Sequence, residues 1–372
     1  MAQTHVIPLY SKERVKKAGS ILINMDCSLE ELNEALEVLN NWRSSHTYPV
    51  NTFQAGLRKK MKKMGIDGIV AQRLKRIPSI FSKLIRFKQM SLARMQDIGG
   101  LRAVVRTNKE VYMLRDSYVK SSKFDHILMM EKDYIDEPKE SGYRGIHLVY
   151  KYSNHKIKLY DGLQIEIQIR NDIQHAWATA VETAGVFLDQ ALKSSVGNED
   201  WLEFFCYASS CFAILEKSPT LTTHRHMIPS QIFNRMLELE SSLEVVKTLE
   251  TYNSVLETLQ DTNNKTHYYL MRLDPSRQTI AIQGFEKDQL ELATTDYLTQ
   301  EKEAKEIPGI QVVLVAAQSL NALKKAYPNY FLDTGKFVGK IKSIRKLMAS
   351  GKSAPDGPSS PLLKFLIKMT AK

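Results

Sequence analysis

The sequence predicts an α+β protein in which a mixed β-sheet flanked by helices is followed by a long helix and a small second α+β unit. Three observations lead to this prediction. The 372 residues are 43% hydrophobic and 25% charged, which is typical of globular proteins and enough for two domains. The hydrophobic pattern changes from helical to strand-like near residue 100 and returns to helical near residue 173. A second group of strand-like segments begins after residue 266.

The first half of the chain is expected to begin with helices. Ser28 and Glu31 form a capping-box pattern that predicts the start of an amphipathic helix. A basic helical region is expected to continue to about Lys88. The alternation of apolar and polar residues then predicts strands at 101–105, 126–129, 145–152 and 163–170, and helical spacing predicts helices at 173–186 and 201–215.

The second half is expected to contain a connector and a smaller unit. Residues 230–263 carry an apolar stripe that predicts a long helix, which either packs on its own domain or pairs in a coiled coil. The turn residues Asp274-Pro275-Ser276 predict a hairpin of strands 268–273 and 279–283. The remaining predictions are a helix at 295–305, a strand at 310–316, a helix at 319–326 and a Ser/Gly/Pro-rich linker at 350–361, which a short amphipathic segment follows.

Composition also predicts the compartment. No uninterrupted apolar run approaches the ~18–20 residues that a membrane-spanning helix needs. The first residues lack the basic start and apolar stretch of a secretory signal. The three cysteines are odd in number and form no CxxC pair, which argues against a disulfide framework. We therefore expect a cytoplasmic protein with no membrane partner.

The positive charge is concentrated in one segment. The chain has 52 Lys and Arg against 41 Asp and Glu, a net charge of +11. Between Arg58 and Arg106 there are fourteen basic residues and only two acids, Asp67 and Asp97. A solvated helix face would explain the short run 58–63, but the whole segment favours an anionic partner, either phosphates or a nucleic acid.

The strand predicted at 163–170 presents a candidate polar site. Period-two alternation divides the strand into an apolar core face and a polar face. The apolar face carries Leu163, Ile165, Ile167 and Ile169, and the polar face carries Gln164, Glu166, Gln168 and Arg170. An exposed edge strand with solvated side chains is the alternative interpretation.

Two further motifs point to nucleotide chemistry. Asp97 stands alone among cations before a strand, where it could share a metal ion with bound phosphates; a turn or helix-cap residue is the alternative. Gly142 and Gly145 enclose Tyr143 in a turn that could present the ring for base stacking; a plain turn with a surface tyrosine is the alternative. Together with the cations, these motifs indicate a phosphoryl-transfer type of enzyme.

The order of the motifs resembles the synthetase domain of the RelA/SpoT family, from about Arg73 to Glu182. The resemblance implies that the protein transfers the β,γ-pyrophosphate of ATP to a ribose 3′-hydroxyl with Mg²⁺ as cofactor. The matching blocks are Arg73-x-Lys75-x-x-x-Ser79-Ile80-x-x-Lys83, Asp97-Ile98-x-Gly100-x-Arg102, Lys132-Asp133-Tyr134-Ile135-x-x-Pro138-Lys139, Gly142-Tyr143-x-x-Ile146-His147, Glu166-x-Gln168-x-Arg170, and His175-Ala176-Trp177-Ala178 with Glu182.

The resemblance also implies a role for each site residue. Asp97 and Glu166 would be the catalytic residues and the ligands of Mg²⁺, and Glu166 would help to deprotonate the attacking hydroxyl. The implied ATP-binding residues are Arg73, Lys75, Ser79, Lys83 and Arg102. The implied acceptor-binding residues are Lys139, Tyr143, His147, Gln168 and Arg170.

Two departures from the family pattern leave the acceptor open. Ser141 stands where many alarmone synthetases carry an asparagine that reads guanine. Met130-x-Lys132-Asp133 lacks the leading Arg or Glu of the usual acceptor-strand signature. No HD-type hydrolase block is visible upstream, so a synthetase without the hydrolase is implied.

The C-terminal part resembles the fused antitoxin of the capsid-activated Rel proteins (CapRel). The resemblance rests on residues 266–345 and on Tyr327 and Tyr330, although two tyrosines at this spacing could also be core residues. It implies a toxin that pyrophosphorylates the tRNA 3′ CCA end, with a phage protein such as the major capsid protein as activator. An alarmone synthetase that makes (p)ppGpp or ppApp is the alternative.

The implied division of the chain has four parts. A pyrophosphokinase (toxin) domain spans residues 1–225, and a helical connector spans 226–265. Residues 266–345 would be the regulatory, pseudo-zinc-finger-like antitoxin unit, and Tyr327 and Tyr330 its regulatory residues. Residues 346–372 would be a flexible linker with a short amphipathic end.

Overall fold

The protein is built from helices on a mixed sheet, and its computed structural model describes residues 5–24, 26–121, 124–187, 199–253, 266–274, 279–304, 310–316 and 334–350. The strands are β1 Gly68–Leu74, β2 Gly99–Val105, β3 Ile127–Asp133, β4 Ile146–Lys151, β5 Gln164–Asn171, β6 Tyr268–Asp274, β7 Thr279–Phe285 and β8 Gln311–Ala316. The helices are α1 Lys12–Ile21, α2 Leu29–Ser45, α3 Thr47–Lys63, α4 Ile77–Arg86, α5 Asn108–Val119, α6 Asp172–Phe187, α7 Glu199–Leu215, α8 Pro229–Ser242, α9 Val245–Asn253, α10 Leu290–Ala304 and α11 Gly335–Ala349.

The described strands form one sheet in the order β3-β4-β5-β2-β1-β8-β6-β7. The pairing of β2 with β5 is parallel, and the other pairings are antiparallel. This arrangement confirms the predicted α+β class with a mixed sheet. It also refutes the edge-strand interpretation of 163–170, because β5 lies between β4 and β2.

The predicted capping box is confirmed at the start of α2. The Ser28 hydroxyl accepts from the backbone N–H of Glu31 at 3.2 Å, and the Glu31 carboxylate accepts from the backbone N–H of Ser28 at 3.0 Å. These two bonds satisfy backbone donors that the first helical turn leaves without partners.

The predicted helical region up to Lys88 is wrong over residues 68–74, which form β1. Gly65, with φ +65°, follows the C-cap of α3 in the left-handed conformation that ends many helices. The β-branched Ile69 and Val70 then favour a strand. β1 pairs with β2 from Gly68↔Val105 to Leu74↔Gly99, so its backbone groups are satisfied within the sheet.

The single long helix predicted from residue 230 is also wrong. Two helices, α8 and α9, meet at Glu244, whose φ of +49° breaks the helical path. The break allows Val245 and Leu249, both fully buried, to pack in the same core as Phe233 of α8. The apolar stripe therefore packs on its own chain over the described residues, and 254–265 lie outside them.

The buried residues form separate cores. The C-terminal part of the chain contributes α11 to one of them and β6, β8 and α10 to another. The largest core lies between helices α1–α5 and strands of the sheet. A second core joins α6–α9 to α11, a helix that the sequence did not predict. Four buried residues of α11 fill it: Phe337, Val338, Ile341 and Ile344.

The strands after residue 266 extend the sheet of the first half. The predicted hairpin is confirmed, since β6 pairs with β7 from Tyr268↔Phe285 to Asp274↔Thr279. β8 pairs with β6 on one side and with β1 on the other, where Val315 lies opposite Arg73. The domain boundaries given above stay predictions. The predicted helix at 319–326, Tyr327, Tyr330 and the segments after residue 350 lie outside the described residues.

Two smaller expectations can be compared with the structure. The three cysteines, Cys27, Cys206 and Cys211, are free thiols, as expected from their number and spacing. In the described part of the chain, no helix combines the length and the apolar character that crossing a bilayer requires.

Candidate active site

Strand register brings the predicted site residues onto one face of the sheet. Gly100 lies opposite Arg73 on β1 and opposite Glu166 on β5. In the next row, Gln168 of β5 lies between Arg102 of β2 and His147 of β4. Since directly opposed residues share a face, these side chains surround the bare Cα of Gly100.

The centre of this face is a small cleft. A Cβ atom added at Gly100 would meet only the Glu166 carbonyl oxygen, at 3.9 Å, so the absence of a side chain at this position opens the floor of the cleft. The residues that line it are Arg73, Asp97, Gly100, Leu101, Arg102, Glu166 and Gln168. Asp97 and Glu166 therefore face the same space.

Asp97 is held by two lysines of the ATP-binding motif. Lys75 Nζ lies 2.7 Å from Asp97 Oδ2, and Lys83 Nζ lies 2.8 Å from Oδ1. Burial and the charge of Glu166 raise the pKa of Asp97, but the two ammonium groups outweigh them and hold this pKa below its usual value. Asp97 thus lies in a turn, as the alternative interpretation expected, and is an ionised carboxylate held between two cations.

Helix α4 presents two of the predicted ATP-binding residues together. Ser79 in its first turn and Lys83 in its last turn are four residues apart, which places them on the same helix face. Because Lys83 reaches Asp97, this face is turned toward the cleft.

Glu166 begins a chain of hydrogen bonds that leads to the predicted acceptor loop. Its Oε1 lies 2.8 Å from His147 Nδ1, and its Oε2 accepts from Gln168 Nε2 at 2.8 Å. His147 Nε2 is hydrogen-bonded to the Tyr143 hydroxyl, which also accepts from Arg170 Nη2 at 2.7 Å. Both ring nitrogens of His147 are therefore engaged.

The pKa values along this chain favour charged groups. Burial raises the pKa of Glu166, but the His147 imidazolium and the Gln168 hydrogen bond lower it well below its ordinary range. Burial lowers the pKa of His147, but Tyr143 and Glu166 raise it to about 9. At neutral pH the pair is an imidazolium beside a carboxylate.

Tyr143 is not the exposed platform that the sequence suggested. The residue is half-buried, the Arg170 guanidinium lies 4.8 Å from its ring centroid, and Lys139 Nζ lies 5.0 Å from it. Both cations belong to the predicted acceptor set, so the ring lies among groups that can bind phosphate. A base that stacks on this ring would have to displace one of these cations from its face.

The backbone around Tyr143 is anchored to α7. Gly142 (φ +89°) and Gly145 (φ +146°) adopt conformations that favour glycine. The Ser209 hydroxyl donates to the Gly142 carbonyl at 2.6 Å, and Arg144 Nε donates to Ser209 Oγ at 2.9 Å. Arg144, which the sequence analysis did not single out, therefore helps to fix the acceptor loop.

The donor set of the cleft fits Mg²⁺ shared with a phosphate ligand. Carboxylate oxygens are the ligands that Mg²⁺ prefers, and in nucleotide sites one or two carboxylates usually bind it together with substrate phosphates. Asp97 and Glu166 supply these two carboxylates. Within the described ranges, no group of three or more His, Cys, Asp and Glu side chains is arranged to hold a metal ion.

Comparison with known proteins identifies the part of the chain that contains this cleft. Residues 72–186 match a family model described as a region found in RelA / SpoT proteins. This part of the chain is similar to that region of RelA/SpoT proteins. It contains every residue that lines the cleft, and it confirms the resemblance predicted from about Arg73 to Glu182.

The chain is also similar to individual proteins. The GTP pyrophosphokinase YjbM of Bacillus subtilis (strain 168) is 33% identical over 112 residues, which are 30% of this chain and 52% of YjbM. The probable GTP diphosphokinase RSH3, chloroplastic, of Arabidopsis thaliana is 33% identical over 129 residues, which are 33% of this chain and 16% of RSH3. The chain thus spans about half the length of YjbM.

A solved structure of small alarmone synthetase 1 from Bacillus subtilis, bound to its product pppGpp, also aligns with the chain. The TM-score is 0.41 at 25% identity, and the alignment covers 50% of this chain and 94% of that chain.

A polar network around Asn171, the last residue of β5, was not predicted. At the end of α7, Glu216 accepts a hydrogen bond from the Asn171 side chain at 2.5 Å. Burial raises the pKa of Glu216 to about 7, although Asn171 and Arg144 act in the opposite direction. Its position after Leu215, the last helical residue, is also unfavourable for a negative charge.

Glu216→Gln should stabilise the protein at alkaline pH. Because the folded-state pKa of about 7 exceeds the ordinary 4.5, the wild type loses stability as the pH rises through this window. We expect the variant to unfold with a free energy on the order of 2 kcal/mol above that of the wild type at pH 8, and with little difference at pH 5. Urea unfolding at both pH values tests this, and an equal difference at both would contradict it.

Proposed function

We propose that the protein is an ATP-dependent pyrophosphokinase, a diphosphotransferase that moves the β,γ-pyrophosphate of ATP to a ribose 3′-hydroxyl and leaves AMP. The observation that carries the proposal is the cleft in which Asp97 and Glu166 face the same space beside Arg73 and Arg102. The names of two similar proteins, GTP pyrophosphokinase YjbM and probable GTP diphosphokinase RSH3, support the same chemistry.

The ATP side of the cleft supplies charge to the triphosphate. Lys75 and Lys83, which bind Asp97 in the structure, can exchange this carboxylate for phosphate oxygens. The exchange would free the oxygens of Asp97, which with Glu166 would hold Mg²⁺. Bound there, the ion would neutralise phosphate charge. Arg73 would lie near the adenine, and Ser79 and Arg102 would complete the phosphate contacts.

The acceptor side orients the hydroxyl and its proton acceptor. Glu166 is ionised at neutral pH, so its carboxylate can accept a hydrogen bond from the attacking hydroxyl. As the family resemblance implies, Glu166 would also help to deprotonate this hydroxyl. His147 and Gln168 fix the two oxygens of this carboxylate. Tyr143 with Lys139 and Arg170 would bind the acceptor base and phosphates, because the two cations already lie against the ring or hydroxyl of Tyr143.

The acceptor that we propose is the 3′ CCA end of tRNA. Support comes from the basic segment 58–106, in which seven cations are exposed, more than a mononucleotide needs. They are Lys59, Lys62, Lys63, Arg86, Lys88, Arg94 and Arg106. Ser141, which departs from the guanine-reading pattern, supports the same choice. An alarmone synthetase that makes (p)ppGpp or ppApp is the second candidate, favoured by the names of the relatives.

An acceptor assay separates the two candidates. The full chain is incubated with Mg²⁺ and γ-labelled ATP, with deacylated tRNA, GDP, GTP or an adenine nucleotide as acceptor, and AMP is measured in parallel. Label on tRNA supports the proposal if tRNA whose 3′-terminal diol was oxidised with periodate before the reaction is not labelled. Label on nucleotides alone contradicts the tRNA proposal and supports the alarmone synthetase, and no label with any acceptor contradicts both.

The resemblance to CapRel supports a further proposal, that the C-terminal part restrains a toxic synthetase until a phage protein such as the major capsid protein binds. Tyr327 and Tyr330 would be the regulatory residues. Truncation is an unsuitable test, because it removes β8 from the sheet and α11 from the second core. Restraint is tested by comparing the growth of cells that express full-length Tyr327→Ala/Tyr330→Ala with that of cells that express the wild type. Stronger growth inhibition by the variant would support restraint, and equal growth would argue against it.

A further inference from the structure

A buried cluster joins α10 to the segment that carries the predicted ATP-binding residues. The cluster consists of Arg43 at the end of α2 and of Tyr297 and Glu301 on α10. Arg43 is 1% exposed and Glu301 is 3% exposed, so both charges are removed from solvent. Arg43 Nη2 donates to the Tyr297 hydroxyl at 2.8 Å, and Arg43 Nη1 lies 3.5 Å from Glu301 Oε2.

The same cluster binds the backbone between β1 and α4. Arg43 Nε donates to the Lys75 carbonyl at 3.0 Å. Glu301 Oε1 accepts from the backbone N–H of Ile77 at 2.8 Å, at the first turn of α4. A carboxylate at this position satisfies a donor that the helix cannot pair internally, and it interacts favourably with the helix dipole. Tyr297 and Glu301 of α10 thus fix the N-terminus of α4, the first through Arg43 and the second through the backbone of Ile77.

The segment held in this way is the predicted phosphate-binding one. Arg73 precedes it on β1, and Ser79 and Lys83 follow it on α4. On its other side, the Lys75 N–H donates to the Ile98 carbonyl at 2.8 Å, next to Asp97. The segment is therefore fixed between the Asp97 loop in front and the buried cluster behind.

None of the described C-terminal residues lines the cleft. The buried cluster does not enter the cleft, but it fixes the backbone that carries the cationic residues of the cleft. It therefore positions these residues and does not exclude a ligand. We infer that Arg43, Tyr297 and Glu301 are positioning residues for ATP, through which the C-terminal part of the chain sets the geometry of the phosphate-binding segment. The inference rests on the pyrophosphokinase function proposed above.

The primary test is Glu301→Gln in the full chain. The amide can still accept from Ile77, but it leaves the buried Arg43 charge without a counter-charge. We expect the KM for ATP to rise roughly 10-fold or more, with a smaller effect on kcat, since small displacements of positioning groups have effects of this size. Hydrogen exchange should also become faster in peptides that cover residues 75–86.

Glu303→Gln is the matched control. Glu303 lies on the same helix, but its side chain is 60% exposed and its partner is Arg272 on β6. This variant should leave both the KM for ATP and exchange in residues 75–86 unchanged. If Glu301→Gln is too unstable to purify, Tyr297→Phe removes one hydroxyl from the cluster and should raise the KM for ATP by a smaller factor.

The outcomes distinguish positioning from stability. Faster exchange or a lower Tm in Glu301→Gln with an unchanged KM for ATP would overturn the inference, because the cluster would then be structural alone. If the wild type transfers no pyrophosphate to any acceptor, the proposed function fails, and the Kd of ATP with Mg²⁺ replaces KM. Equal Kd values for the wild type and Glu301→Gln, or no ATP binding by the wild type, would then overturn the positioning inference as well.

Discussion

Replacing Glu166 with glutamine should reduce pyrophosphate transfer by roughly 10²–10⁴-fold, the range expected when a general base is lost. The change keeps the size of the side chain and its hydrogen-bonding capacity toward Gln168, but it removes the negative charge from the cleft. Glu166 could then neither accept the proton of the acceptor hydroxyl nor serve as a carboxylate ligand. Initial rates of AMP formation and of label transfer from ATP measure the effect.

The matched control for this variant is Glu131→Gln. Glu131 is a carboxylate of the same sheet, on β3, and its partner is Arg115 rather than a cleft residue. It should transfer pyrophosphate at the wild-type rate. Transfer by Glu166→Gln at the rate of this control, with both proteins folded by circular dichroism, would contradict the catalytic role.

Glu166→Gln should also change the titration of His147. In the wild type, Tyr143 and Glu166 raise the pKa of His147 to about 9, so the imidazolium persists at neutral pH and is lost as the pH rises through about 9. Without the carboxylate, only Tyr143 would still oppose the effect of burial, so the pKa of His147 should fall. An NMR titration of the His147 ring reports the change independently of activity. An unchanged pKa would show that Glu166 does not hold His147 in its charged form.

The polar face of β5 could be predicted from the sequence because the alternation that determines it lies within the strand itself. Ile165, Ile167 and Ile169 alternate with polar residues, and a strand of period two can bury only one of the two sets. The structure buries the isoleucines and turns Glu166 and Gln168 to the cleft. The grouping of Asp97 with Glu166 was an expectation from the motif order, and the parallel pairing of β2 with β5 accounts for it.

Elements that depend on distant partners could not be predicted in the same way. β1 places Gln72 and Arg73 directly after Ile69, Val70 and Ala71, without the period-two alternation of β5, and its pairing depends on β2 on one side and β8 on the other. The break between α8 and α9 occurs at Glu244, where no glycine or proline marks a helix end. The cluster of Arg43 with Glu301 joins residues more than 250 positions apart, and neither residue has a local pattern that indicates burial.

Gly100→Val should abolish ATP binding while it leaves the fold intact. Gly100 lies between Arg73 and Glu166 in the row that crosses the cleft. A Cβ there meets only the Glu166 carbonyl oxygen at 3.9 Å, an ordinary contact, so a valine can be accommodated by the strand and would project into the cleft. We expect the affinity for ATP to fall by roughly 10²-fold or more, since the methyl groups would displace the phosphates from their cations.

The neighbouring variant Gly99→Val is the contrast that makes this prediction specific. Gly99 belongs to the same strand but faces the core, where a Cβ would lie 2.7 Å from Val50 Cγ2 and 3.1 Å from the Cβ of His46. Overpacking of this kind costs about 1–3 kcal/mol. Gly99→Val should therefore lower the free energy of unfolding and retain ATP affinity at a temperature where it is folded. Gly100→Val should lose ATP affinity and keep the free energy of unfolding of the wild type, because valine in a strand is not itself destabilising. Isothermal titration with ATP and Mg²⁺, together with urea unfolding of both variants, measures the two effects. If Gly100→Val bound ATP as the wild type does, the triphosphate could not lie across β2 between Arg73 and Glu166.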